Sequence, residues 1–288
     1  MPRLLLSRRA RWPHQVVDPP IPIPDRGSAP ALVTFVGHST FLIQTSDEVI
    51  LTDPVFSDHA GPGGIIGPRR VRRPAISLDA LPPVSLILLS HNHYDHCDLP
   101  TLGALGRRFD PLVVTLLGNR ALLRSAGLRR IEELDWWQHA ATKATSITAT
   151  PAHHFSARGP FDRNRALWGG FILGVEGRHI YFAGDTAYTE VFRALRSRVG
   201  PVDLALLPIG AYEPRWFMRS VHMNPEEAVR AHIELGSTLS IAMHFGTFQL
   251  TTEGIDAPAM ELRRACAEHG IPDLEFRVPA SGESIYLR

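Results

Sequence analysis

The sequence predicts an α+β fold in which two β-sheets pack face to face with helices on the outside. Three observations lead there. Apolar β-branched runs outnumber helical segments in each half of the 288 residues, the runs alternate with single helices, and 44% of the chain is hydrophobic, enough for one large core. No internal repeat is visible, and no linker follows Pro30. Residues 31–288 therefore read as one domain and residues 1–30 as an extended arm.

Taken in order, the opening carries Arg3, Arg8, Arg9 and Arg11 beside Trp12. It reads as a frayed basic terminus, with an anionic membrane surface as the other reading. PHQVVDPPIPIPDRGSAP follows, in which prolines fix φ and remove amide donors, so an extended course is expected with order beginning at Ala31. ALVTFVG, TFLIQT and EVILTD, separated by polar turns, predict a meander of neighbouring strands. GPGGIIGPRRVRRP is too rich in Gly and Pro for regular structure and predicts a loop exposing Arg69, Arg70, Arg72 and Arg73, with a substrate-facing role as one reading. VSLILLS is a continuous apolar strand, and Leu99, Leu102 and Leu105 have helical spacing after it. PLVVTLL, SITATPA, ALWGGFILGV, HIYFAGD, VDLALLPIG and LSIAMHF predict further buried strands. Helices are expected around 119–126, 188–198, 225–235 and 257–269. The third has the firmest start: Asn224 can cap it, Pro225 suits its first position, and Glu226 and Glu227 oppose the positive end of its dipole.

Charge and cysteine content narrow the function classes. Lys plus Arg nearly cancels Asp plus Glu at +1, so nothing in the balance calls for nucleic acid. Lys143 is the sole lysine, which leaves arginine to supply almost all positive charge. Cys97 and Cys266 cannot build a disulfide framework, and no run approaches the ~20 apolar residues of a membrane span. A cytoplasmic protein is expected, peripheral to the inner membrane face if it meets lipid at all.

The chemistry concentrates in HNHYDH. If residues 91–95 stay extended, His91, His93 and Asp95 project to one side, while His96 reaches elsewhere. One loop can then serve two metal ions, the first taking His91 and His93, the second Asp95 and His96. Completing donors are available at later strand ends: His153 and His154, Asp185, which could bridge, and His244. Two zinc ions a few Å apart would acidify a shared water and stabilise charge on an attacked oxygen, so hydrolysis is the natural outcome.

These motifs carry a resemblance. ILTDP, HNHYDH, AHH, FAGDT and AMHFGT resemble the metallo-β-lactamase superfamily, and VGHSTFLI, ELDWW, GAYEPRWFM, HMNPEEAV and SGESIYL resemble its N-acyl-phosphatidylethanolamine-hydrolysing phospholipase D branch. The resemblance spans roughly residues 33–287 and implies an αββα four-layer sandwich with metals at the ends of the two sheets. It implies His91, His93 and His154 on one zinc, Asp95, His96 and His244 on the other, and Asp185 between them, with His153 the neighbour to distinguish from His154. Asp53 is implied as the carboxylate orienting the metal loop, and His38 is a candidate for a similar place behind the ligands. An imidazole at His93, where an iron-binding branch would place a carboxylate, suits zinc hydrolysis.

The activity this implies is hydrolysis of a phospholipid phosphodiester such as N-acyl-phosphatidylethanolamine. Asp95 and Asp185 would act through the metals and His222 as acid or substrate contact. Tyr212, Arg215 and Trp216 of GAYEPRWFM are expected to shape the substrate pocket, and Arg158, with Arg165, to meet an anionic head group. Trp136, Trp137 and Cys97 read as packing residues. The short front region departs from the mammalian branch, whose dimer and membrane surface bring acyl chains to the metals. A homodimer and peripheral membrane contact stay open, as does a soluble lactonase or small-phosphodiester hydrolase on the same metals.

Overall fold

The computed structural model describes residues 9–287 apart from 20 and 23, so Arg3 and Arg8 of the basic opening lie outside the described residues. Along the chain come β1 (Ala31–Gly37), β2 (Thr40–Gln44), β3 (Val49–Thr52), β4 (Leu86–Leu89), α1 (Leu99–Phe109), β5 (Leu112–Leu116), α2 (Arg120–Ser125) and β6 (Ile131–Leu134). The second half gives β7 (His139–Ala141), β8 (Thr145–Thr150), β9 (Gly170–Val175), β10 (Arg178–Phe182), α3 (Val191–Val199), β11 (Leu204–Pro208) and α4 (Arg215–Met218). It ends with α5 (Pro225–Leu235), β12 (Leu239–Met243), α6 (Ala257–His269), β13 (Phe276–Arg277) and β14 (Ser284–Leu287).

Two seven-stranded sheets result, ordered β14-β1-β2-β3-β4-β5-β6 and β13-β12-β11-β10-β9-β8-β7. In the first, β14, β1, β2 and β3 pair antiparallel and β3 to β6 parallel. In the second, β7 to β10 pair antiparallel and β10 to β13 parallel. Both halves thus share one pairing plan although their sequences show no repeat.

Alternation along the strands builds the layers. In β4, Leu86 and Leu88 enter the core shared with Ile147, Phe171 and Leu173 of the other sheet, while Ile87 and Leu89 face outward to Leu102, Leu105 and Leu123 of α1 and α2. A strand covered on both faces is apolar throughout, as a parallel strand in such a sheet must be. Full burial of one such leucine stabilises the fold by about 1.5–3 kcal/mol. On the far side α3, α5 and α6 contribute Phe192, Leu195, Val229, Leu235 and Leu262 to the larger core. The architecture is the αββα sandwich expected. Asn224 caps α5 in a reciprocal box with Glu227, and Gly236 closes it in the left-handed conformation.

Three expectations need correction. Order does not wait for Ala31: the arm is irregular but held, with Trp12 Nε1 donating to Glu253 O at 2.9 Å, the Val16 amide to Val71 O at 2.7 Å and Arg72 paired with Asp18 at 2.8 Å. The loop 61–74 does not expose all four arginines. Arg70 is buried, donating to Val55 O at 2.7 Å and Ser57 O at 3.0 Å with its guanidinium over the Phe248 ring. Backbone carbonyls and an aromatic face replace the water it gives up. The short strands β6, β7, β13 and β14 and the one-turn α4 are additions, too brief to leave a periodic signal. Among the described residues no helix is long and apolar enough to cross a membrane.

Candidate metal centre

The candidate ligands come from strand ends on one side of the sandwich. Four follow β4 directly, but the loop does not stay extended. It turns at His93, whose carbonyl accepts from the amides of His96 at 3.1 Å and Cys97 at 2.7 Å. That turn, not alternation, separates His91 and His93 from Asp95 and His96, and Asp95 therefore leaves the side expected for it.

The first cluster is His91, His93 and His154. His93 Nδ1 lies 2.9 Å from His91 Nε2 and 3.2 Å from His154 Nε2. The second is Asp95, His96 and His244, with His38 beside them. Asp95 Oδ2 is 3.5 Å from His96 Nε2, 3.4 Å from His244 Nε2 and 3.2 Å from His38 Nε2. Asp185 Oδ2 stands between the clusters: 3.2 Å from His96 Nε2 and from His244 Nε2, 3.7 Å from His154 Nε2 and 3.9 Å from His91 Nε2. Asp185 is delivered by Gly184, whose φ of +60° favours glycine and where a Cβ would lie 2.7 Å from Gly169 O. His153 faces solvent and is held through its backbone, the amide donating to Thr186 Oγ1 at 3.0 Å and the carbonyl accepting from the Ala187 amide at 2.9 Å.

The outer hydrogen bonds fix which nitrogen points inward. Asp53, fully buried, accepts from the Ser90 amide at 2.7 Å, Ser90 Oγ at 2.5 Å and His96 Nδ1 at 2.6 Å. Since Ser90 Oγ gives its proton to Asp53, it accepts from His91 Nδ1 at 2.8 Å. His154 Nδ1 donates to Val221 O at 2.9 Å. With Nδ1 outward, the Nε2 atoms of His91, His96 and His154 face the clusters, as metal-binding imidazoles require. Ser90 is the residue the sequence reading missed; its signal is a hydroxyl between an apolar strand and the first histidine.

Electrostatics divide the imidazoles. Burial lowers His91 well below the usual range, His93 to about 4, and His38, His154 and His222 to about 3. Burial alone would do the same to His96 and His244, but Asp185 and Asp95 hold His96 well above its ordinary value and His244 at about 9. Conversely, burial alone would raise the carboxylates, yet His96 and His244 hold Asp95 and Asp185 well below theirs. His96 Nε2, His244 Nε2 and Asp185 Oδ1 are buried without a hydrogen-bond partner. Each such atom costs about 1–3 kcal/mol. Convergent imidazoles, two carboxylates and orphaned inward atoms fit divalent cations, and imidazole with carboxylate is a donor set suited to zinc.

The residues read as substrate contacts are placed differently. Arg158 Nη1 donates to Asn92 O at 2.8 Å and Cys97 O at 2.9 Å, with its guanidinium 3.9 Å from the Tyr94 ring, so it grips the metal loop. Tyr212 is buried, and Arg215 is tied to Glu227 and to His222 O. Trp216 is 57% exposed and Phe217 47%. His222 is buried with Nε2 at 4.0 Å from Asp185 Oδ2. Cys97 packs under α1, its thiol pushed up to about 12 by burial.

The sequence profile described as Beta-lactamase superfamily domain matches residues 48–245, from β3 through the second cluster. The chain belongs to this superfamily. Among curated relatives, an uncharacterized protein of Mycobacterium tuberculosis is 41% identical over 286 residues, covering 94% of this chain and 75% of its own. The N-acyl-phosphatidylethanolamine-hydrolyzing phospholipase D 1 of Caenorhabditis elegans is 36% identical over 263 residues, covering 87% of this chain and 74% of its own. Among solved structures, a possible metal-dependent hydrolase from Veillonella parvula superposes with a TM-score of 0.72 at 19% identity, covering 89% of this chain and 99% of its own. Within the superfamily the chain is a metal-dependent hydrolase of the N-acyl-phosphatidylethanolamine-hydrolysing phospholipase D-like group.

Proposed function

We propose that the chain is a dinuclear zinc phosphodiesterase of phospholipase D type that hydrolyses N-acyl-phosphatidylethanolamine or a related phospholipid. The observation that carries this reading is the position of Asp185 Oδ2, within 4 Å of inward imidazole nitrogens from both clusters. His91, His93 and His154 would hold one ion, Asp95, His96 and His244 the other, and Asp185 both. When bound, two zinc ions supply Lewis acidity toward a phosphoryl oxygen and acidify water toward neutral pH.

The chain's own groups do the rest. Asp53 and Ser90 keep the donor nitrogens aimed inward, and burial keeps water from competing for them. His222, neutral and facing Asp185, is placed to contact the phosphoryl group through its ring N–H rather than to act as an acid. The nematode relative supports the substrate class. So do the exposed side chains Ile65, Ile66, Phe161, Trp216 and Phe217, on segments that follow β3, β8 and β11: β8 leads to His154, and β3 and β11 run parallel to β4, β10 and β12, which lead to the other ligands. Exposed Arg69, Arg163, Arg165 and Arg219 accompany them. Apolar tips with cationic neighbours suit an anionic lipid surface. On this reading the partner is a phospholipid bilayer, nucleic acid is none, a homodimer is allowed, and residues 31–288 are the hydrolase domain.

The test is a vesicle assay with N-acyl-phosphatidylethanolamine that follows phosphatidic acid and N-acylethanolamine, alongside zinc analysis. Turnover by the parent and its loss in Asp185→Asn support the proposal. Inactivity of the parent on lipid, together with hydrolysis of a soluble lactone, would replace it with the lactonase reading.

A further inference from the structure

We propose that Arg215 and Glu227 form a brace that aims His222 into the metal pocket, which makes both positioning residues for the hydrolysis proposed above, on whose assignment of His222 this inference rests. Arg215 Nη1 donates to His222 O at 2.9 Å, and Nη2 to both carboxylate oxygens of Glu227 at 2.9 and 2.8 Å. The same Glu227 accepts from the Asn224 amide at 3.0 Å, while Asn224 Oδ1 accepts from the Glu227 amide at 2.9 Å. One guanidinium therefore joins the first residue of α4, the carbonyl of His222 and the first turn of α5.

His222 needs such help because its ring is not aimed by a hydrogen bond of its own. Its Nδ1 is buried without a partner, and the ring lies among other imidazoles, with centroids 4.9 Å from His154 and 5.3 Å from His244. The backbone must set its position. The His222 amide donates to Met218 O at 2.9 Å, and in the peptide unit that follows the ring the Met223 amide donates to Thr186 O at 3.0 Å, beside Asp185. Arg215 fixes the carbonyl side of that same peptide unit. A lysine would lose this geometry, since its one nitrogen has to reach both acceptors that two guanidinium nitrogens now span.

Arg215→Lys and Glu227→Gln test this in the full zinc-loaded protein. Gln at position 227 can still close the capping box, so α5 survives while the charged partner is lost. Hydrogen–deuterium exchange of residues 219–224 is expected to rise at least about tenfold in both variants, with α5 unchanged. With bis-p-nitrophenyl phosphate as the probe, kcat is expected to fall about 10- to 100-fold at constant KM, as displacement of a group that contacts the reacting phosphoryl produces. In a His222→Ala background Arg215→Lys is expected to add less than about twofold, because the two act as one unit.

Unchanged exchange overturns the brace. So does an undiminished effect of Arg215→Lys without His222, or a raised KM at constant kcat, which would place the guanidinium on substrate instead. If no form hydrolyses the probe, the exchange result decides the brace alone and the failure falls on the proposed activity.

Discussion

Asp53→Asn separates the two proposed metal sites by a change of one atom. The fully buried carboxylate accepts three hydrogen bonds, Oδ1 from the Ser90 amide and Oδ2 from Ser90 Oγ and His96 Nδ1. The amide offers one acceptor, and the Ser90 N–H, which cannot turn away, takes it. The new NH2 then faces Ser90 Oγ and His96 Nδ1. Ser90 Oγ can accept from it and still accept from His91, so the first cluster keeps its tautomer. His96 can only accept by moving its proton to Nε2, where the second cluster needs a lone pair. Loss of such an orienting partner costs about 10- to 100-fold in metal affinity, or about 1.4–2.7 kcal/mol. Competition of the apo protein with a graded chelator should therefore show one zinc weakened by that factor and the other within about threefold of the parent. Equal weakening of both ions, or none, would refute the argument from tautomers.

Arg158→Ala removes two hydrogen bonds and a cation–π contact that hold the turn from Asn92 to Cys97, and is expected to cost about 2–3 kcal/mol in urea unfolding, with faster zinc loss to chelator. Zinc binding at pH 7 should release protons, because in the metal-free protein His96 and His244 are protonated under the influence of Asp185 and Asp95. Affinity should then rise with pH toward about 9, the value at which His244 gives up its proton. Calorimetry in buffers of different ionisation enthalpy checks this, and absence of proton release at pH 7 would contradict it. Phe171→Ala, in the core between the sheets, is expected to lose about 3–5 kcal/mol by cavity formation, read from the urea midpoint at unchanged slope. Asn224→Ala should cost about 1 kcal/mol of stability through the lost cap, seen as a small drop in the thermal midpoint.

The sequence by itself determined the local terms of this protein. Leu86 to Leu89 read as a strand buried on both faces, Asn224, Pro225, Glu226 and Glu227 as a helix start, and HNHYDH at a strand end concentrates donors that a fold does not leave unpartnered. Each is a statement about neighbours a few residues apart, where periodicity and capping act. The ligand set as a whole came from resemblance, because spacing alone left His153 and His154 equivalent.

Only the tertiary structure decided what those terms meet. Asp53 reaches His96 across 43 residues and Arg158 reaches Asn92 across 66, and neither contact leaves a mark on local sequence. Arg70 looked like one of four exposed cations until Phe248 and two backbone carbonyls enclosed it. The edge strands β7 and β13, three and two residues long, exist because a neighbouring strand offers unpaired amides, not because their residues favour extension. The physical reason is common to all of these. Hydrophobic periodicity fixes which face of an element is buried, but sheet order and packing fix which distant polar group that face is buried against. A side chain's role here, ligand, brace or substrate contact, depends on the second.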